Sequence, residues 1–371
     1  MHFGPGKSRV RLARTFHSET ANGALAMNKL ILSFFVTAFC CPLLAIAQST
    51  GAPQGVNLRE ATIMLDVAVT DKAGKPVSGL DMKDFTLLDN NQPVKILSFH
   101  STDPAADAPV EVVLVLDTVN VDFKYVSSER QEIEKFLLSN DGHLTQPVSL
   151  YVYTRVGLDS AGAPNTDGKA LATLAGQLDN NARMTTAALG VDGAIERFYS
   201  SVKALAAVAQ NEAPKPGKKL LIWVGSGWPM LDSVNVDISE KAQRENFDSI
   251  VGLSSLLRQG RISIYSISTN EGSGSATVYR DFLKGVKSAG KSSPANLGVK
   301  VLAVQSGGRV LGPNNDLTAQ IDSCVQDARS FYKLSFSPPR ADRVSEYHDL
   351  KVLVATPGLT PRTNTGYYNE P

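Results

Sequence analysis

Val110-Glu111-Val112-Val113-Leu114-Val115-Leu116-Asp117 is the stretch that decides the fold. Apart from Glu111 it is apolar up to Leu116 and does not alternate. A strand with one wet face alternates apolar and polar side chains. One that does not alternate is buried on both faces, as in a parallel sheet covered by helices. Moving outward, residues 127–138 read as a helix with Ser127 or Ser128 as N-cap, and 148–153 as a second strand. Val191, Ala194, Ile195, Phe198, Val202 and Leu205 recur at helical spacing. A strand over 220–224 runs into Gly225-Ser226-Gly227, a helix covers 240–258, and 262–267 is a β-branched strand. A short helix over 294–305, a Gly307-Gly308 turn into a strand at 309–311, and a helix over 317–329 complete the series. Strands alternating with helices imply an α/β domain with a mostly parallel sheet and helices on both faces. Such sheets place ligands beyond the carboxyl ends of their strands, where strand order reverses. Asp117 is therefore expected at that crevice.

The flanks are β-rich. Ile63, Leu65, Val67 and Val69 alternate with other residues, residues 71–76 signal a turn, and 85–88 and 94–99 read as strands joined by Asp89-Asn90-Asn91. Three strands make a marginal core. Strands at 331–336, 348–354 and 366–368 follow the α/β region. The expectation is that they complete the N-terminal unit as a small β-sandwich. The domain plan is 1–47 as upstream extension and signal peptide, 48–57 as linker and 58–103 as small β unit. The α/β domain then spans 108–330, and 331–371 returns to the β unit.

The leader reading rests on Met27-Asn28-Lys29, an apolar run over 30–47, and Ala45-Ile46-Ala47 before Gln48. This is the layout of a cleaved secretory signal, with Met27 as the start and 1–26 as the extension. A membrane anchor is the alternative, although Pro42 interrupts the run. An exported protein of periplasm, cell surface or exterior is expected, without a stable span after cleavage. Cleavage removes Cys40 and Cys41 and leaves Cys324 alone, so no internal disulfide can form. Lys plus Arg number 37 against 36 Asp plus Glu, which gives no electrostatic case for nucleic acid.

The alternation and the strand ending in Asp117 resemble von Willebrand factor A domains, and more specifically the VWFA-related proteins of acidobacteria. The matching stretches are Val69-Thr70-Asp71-Lys72-Ala73-Gly74-Lys75-Pro76-Val77-Ser78-Gly79-Leu80, Asp84-Phe85 and Lys219 to Gly227. Gly307-Gly308-Arg309, Asn315-Asp316-Leu317, Phe331-Tyr332-Lys333-Leu334 and Arg362 through Tyr368 complete the set. The resemblance implies a Rossmann-like domain with a binding role. It also implies a crest where Asp-x-Ser-x-Ser, a loop Thr and a later Asp hold a divalent cation, hydroxyl and carboxylate oxygens being suited to Mg²⁺ or Ca²⁺. This chain has Asp117-Thr118-Val119-Asn120-Val121 instead, with Ser226 at the later Asp position and Thr185 or Thr186 at the loop position. A degenerate metal site would use Asp117, Asn120, Ser226 and Thr185. The competing reading is that Asp117 caps the turn that follows it.

No other motif carries chemistry. Gly225-Ser226-Gly227-Trp228 lacks the Gly-x-Ser-x-Gly spacing of a hydrolase elbow. The Gly272-Ser273-Gly274-Ser275 run reads as a loop, without a phosphate-loop pattern. His100, His143 and His348 lack metal spacing and are expected at the surface or at strand ends. Lys215, Lys218 and Lys219 read as a solvated loop, Trp223 as core and Trp228 as an exposed anchor. The expected function is a non-enzymatic module that binds a protein or cell-envelope ligand through Asp117, Asn120, Asp122, Ser226 and Trp228. The alternatives are a structural subunit of an envelope assembly docking through the β unit, and a hydrolase without a recognisable motif.

Overall fold

A computed structural model describes residues 62–104, 106–179, 190–229, 231, 239–269, 278–314 and 316–371. The leader, the 48–57 linker, Thr185, Thr186 and the 272–275 loop lie outside the described residues. The chain opens with β1 (Ile63–Thr70), β2 (Phe85–Asp89), β3 (Gln92–Val94) and β4 (Ser98–Ser101). The α/β region follows with β5 (Glu111–Asp117), α1 (Phe123–Leu137), β6 (His143–Thr154), β7 (Gly157–Ser160), β8 (Asn165–Asp167), α2 (Gly168–Asp179) and α3 (Gly190–Glu212). It continues through β9 (Lys219–Gly225), α4 (Glu240–Gln259), β10 (Ile262–Ser268), α5 (Val299–Gln305), β11 (Arg309–Leu311) and α6 (Leu317–Val325). The chain closes with β12 (Tyr332–Phe336), β13 (Glu346–Val354), β14 (Thr360–Arg362) and β15 (Gly366–Asn369).

The central sheet has the order β11-β10-β9-β5-β6-β7, with β8 also pairing to β6. From β11 to β6 every pairing is parallel, and only β7 and β8 run antiparallel. The chain leaves β5 for β6 on one side and later returns to β9 on the other, so strand order reverses at β5, the switch point of a Rossmann-like sheet. Alternation within β5 sorts its side chains between two cores. Val113 and Val115 face the layer of α3, α4 and α5, with Phe198, Leu205, Leu253 and Leu302. Val112, Leu114 and Leu116 face α1, α2 and α6, with Ile133, Leu171 and Ile321. Both faces are covered, which explains the unbroken apolar run. Each side chain so buried contributes on the order of 1.5–3 kcal/mol before ordering entropy is charged against it.

The flanking strands form two antiparallel four-stranded sheets, β14-β1-β12-β4 and β15-β13-β2-β3. N- and C-terminal segments are interleaved: β1 pairs with β12 and β14, and β2 pairs with β13. Ile63, Leu65, Val67, Phe85, Leu87, Tyr332, Leu334, Phe336 and Val352 fill the core between them.

Three local expectations need correction. Ser127 and Ser128 do not cap α1, which begins at Phe123; the Ser128 hydroxyl donates to the Tyr125 carbonyl within the helix. The strand expected over 94–99 divides into β3 and β4, because residues 95–97 carry the chain from one sheet to the other. The lysine run is not solvated. Lys218 and Lys219 are 4% and 1% exposed, and Lys215 Nζ bridges Glu111 at 3.0 Å and Glu212 at 2.5 Å. Lys218 Nζ lies 4.2 Å from the centroid of the Phe331 ring.

Candidate functional site at the sheet crest

Because β5, β6, β9 and β10 are parallel, the loops after them gather at one edge of the sheet, the crest. Asp117 ends β5 at that edge and is fully buried. Its carboxylate is surrounded by N–H donors. Oδ1 accepts from the backbone N–H groups of Val119 and Asn120, each at 3.0 Å. Oδ2 accepts from Asn120 Nδ2 at 2.8 Å and from Trp223 Nε1 at 3.0 Å. A carboxylate offers about four lone-pair directions, and all of them are taken. Burial pushes the Asp117 carboxyl above the usual carboxylate range, against the pull of the bonds from Asn120, Trp223 and Val119. The chain can approach this closely because residue 225 is glycine: a Cβ there would lie 2.9 Å from Asp117 Cβ.

Around the carboxylate, Asn120 Nδ2 also donates to Ser201 Oγ on α3 at 2.8 Å, which ties the turn to that helix. Val119 and Val121, which stand where the resemblance places serines, are buried at 7% and 8% exposure. Ser226 is at the crest, but its buried hydroxyl has no hydrogen-bond partner among the described residues; the same holds for Asn120 Oδ1. Asp122 is exposed beyond the turn, and its carbonyl accepts from Tyr125 N at 2.8 Å. Trp228 is not an exposed anchor. It is 7% exposed and packs edge-on against Trp223 (5.2 Å between centroids, 79°) and Phe198 (6.2 Å, 86°). It serves as the lid of the core beneath the crest. Thr185 lies outside the described residues.

Among the described residues the donor set does not fit a divalent cation. Asp117 has no free lone pair to offer, and valine side chains replace the hydroxyls that would complete the shell. Among the described residues no group of three His, Cys, Asp or Glu side chains is placed to hold a metal. The turn-capping reading describes the geometry instead: Asp117 fixes the first crest loop and staples it to β9 through Trp223.

Two crest residues escaped the sequence reading. Glu129 on α1 is 3% exposed, and Thr269, just beyond β10, donates its hydroxyl to Glu129 Oε1. Burial raises the Glu129 carboxyl to about 7, and the Asp117 charge adds to the rise. The available signal was its position. Val126, Glu129, Ile133 and Phe136 share one helical face, so the glutamate occupies an apolar slot. The second is Val156, at the tip of the β6–β7 hairpin, where it is 79% exposed. Elsewhere His348 proves buried, at 5% exposure, with Nδ1 2.8 Å from Asp89 Oδ1. Among the described residues no helix is long and apolar enough to cross a membrane.

No protein-family model matches the chain, and no curated protein matches it. Solved structures similar to it include manganese-loaded TRAP protein of Plasmodium vivax, at 8% identity and a TM-score of 0.34, covering 72% of this chain and 97% of that one. The SpRpn10 VWA domain is similar at 9% identity and a TM-score of 0.31, covering 58% and 94%. Human COPII-coat protein Sec24c is similar at 10% identity and a TM-score of 0.31 over 71% of this chain, which spans 44% of that protein's length.

Proposed function

We propose that this chain is an exported, non-catalytic binding module of the A-domain type. It contacts a protein or envelope partner through the crest loops, and it does so without a bridging cation. The observation that carries this reading is the saturated Asp117 carboxylate at the switch point of the sheet. A buried carboxylate that accepts four N–H bonds can serve neither as an accessible base or nucleophile nor as a cation ligand. It can hold a loop rigid, and preorganised loops on a stiff sheet are good recognition surfaces. Export is supported by the leader-like run over 30–47, and the acidobacterial kinship by the motifs quoted above. Recognition then falls to side chains that project from the crest, with Val156 on the β6–β7 tip and Asp122 beyond the first turn.

The test has two arms. Titrating the purified protein with Mg²⁺, Ca²⁺ and Mn²⁺ in a calorimeter is expected to give no saturable heat. Capture of envelope proteins by the immobilised chain is expected to persist in chelator and to fall with Val156→Asp, at an unchanged melting temperature. Cation binding abolished by Asp117→Ala would overturn the cation-free mechanism. Capture indifferent to Val156→Asp and to Asp122→Lys would overturn the crest as the contact surface.

A further inference from the structure

We propose that the cleft between β11 and β13 is a second docking site, which takes an extended acidic segment of a partner protein as an added strand beside β11. The inference does not rest on the crest reading, because the cleft lies along the edge of the sheet, not beyond its strand ends. Three observations lead to it. First, β11 ends the central sheet; Asn364 bridges Ser306 and Thr365 N donates to the Gln305 carbonyl just before it, but among the described residues no strand pairs with the outer side of Arg309–Leu311. An open strand edge presents N–H and C=O groups that an extended peptide can satisfy.

Second, the opposing wall is shaped for side chains. Along β13, Tyr347 turns into the core shared with α4 and α5, while Leu350 and Val352 belong to the sandwich core. The intervening Lys351 and Leu353 leave the sandwich on Tyr347's side of the sheet, as the two-residue period of a strand requires. Leu353 is 50% exposed. Between this wall and β11 lies a cleft of about 500 Å³, lined by Arg309, Val310, Lys351, Leu353, Pro361 and Arg362 among others.

Third, every charged side chain in the lining is cationic: Arg309, Lys351 and Arg362. One carboxylate, Asp327, lies beneath them at 1% exposure and is shared by both arginines, with Arg362 Nη2 at 2.8 Å and Arg309 Nε at 3.4 Å from Oδ2. Lys351 Nζ donates to the neutral Asn91 Oδ1 at 2.9 Å. The cleft therefore carries excess positive charge over an aliphatic wall. Its complement is a strand that alternates aliphatic and acidic residues.

The probe is a blocked, fluorescent hexapeptide of alternating valine and glutamate, titrated against the whole protein and followed by anisotropy. Saturable binding is expected, weaker by at least about tenfold for the valine–lysine counterpart, since like charges facing each other oppose association. Lys351→Glu and Leu353→Ser are each expected to weaken the glutamate peptide about tenfold without moving the melting temperature, because neither side chain supports Asp327. N-methylation of alternate amides is expected to abolish binding, as strand addition needs those donors. The proposal fails if no peptide saturates, if the glutamate and lysine peptides bind alike, or if the N-methylated peptide binds as well as its parent.

Discussion

At position 117 a single carboxylate had two readings, cation ligand or turn cap, and both put it at the crest. The sequence could not choose between them. The deciding donor, Trp223 Nε1, comes from a strand 106 residues away, and no local pattern announces that bond. Asp117→Asn separates the readings. The amide would turn an NH₂ group toward existing N–H donors and leave buried polar groups unsatisfied, which costs about 1–3 kcal/mol each. Denaturant unfolding in the absence of added metal is therefore expected to show a loss of about 3 kcal/mol. A near-neutral effect would mean that the carboxylate does not hold the turn. Glu129 allows a test by pH. Its carboxyl is raised to about 7 from an ordinary value of 4.5, so the fold favours the protonated form. Its stabilising contribution is complete below about pH 4.5 and is lost as pH climbs through 7, a swing on the order of 3 kcal/mol. Glu129→Gln keeps an acceptor for Thr269 and removes the titration. The variant is expected to match the parent near pH 4.5 and to melt higher at pH 8. Parallel melting curves at both pH values would refute the assignment.

The elements that could be read are those whose surroundings stay the same along their whole length. β5 and β9 carry unbroken apolar runs, Val112 to Leu116 and Leu220 to Val224, because helices cover both faces, and α3 and α4 show an apolar stripe because one face meets the sheet. What could not be read is where a strand changes sheets. Residues 95–97 look like the middle of one strand, yet β3 and β4 belong to opposite sheets of the sandwich. The short β7 and β8 carry no sequence signal either, since edge strands need no apolar alternation. Gly307-Gly308 reads as a turn in the sequence, and its demands are sharper than that. A Cβ on Gly308 would lie 1.8 Å from the Ile264 carbonyl oxygen, so only glycine lets β11 start in register on β10. Gly308→Ala is expected to destabilise the protein by about 3 kcal/mol, at the upper end of overpacking costs. Hydrogen exchange should show the loss of protection concentrated in β10 and β11. Exchange unchanged in that pair would show that the strands slide apart without penalty.

For the molecule as a whole, the question is whether the sandwich and the α/β body unfold together. The interleaving ties the two chain ends: β2 finds its main partner in β13, more than 250 residues later. The seam is also buried. Tyr347 and Tyr368 come from the sandwich sheet but pack in the α/β core, with ring centroids 5.2 Å apart. Gly285 leaves room for the first of them, for a Cβ at 285 would sit 1.9 Å from the Tyr347 ring. Side chains shared in this way couple the two cores. The full chain is therefore expected to unfold in one calorimetric transition, and Tyr347→Ala to lower that transition as a unit, by roughly 3–5 kcal/mol for a buried aromatic. Truncation at Ser337 removes β13, β14 and β15 together. It is expected to abolish exchange protection in β2 and also to weaken it in α4, whose Phe247 packs against Tyr368 at 6.0 Å. Two resolved transitions in the intact protein, or a truncated chain whose α4 exchanges as before, would show that the body stands without the sandwich. In that case the sandwich would be a separable appendage, and a partner held in the β11–β13 cleft could pull the two apart.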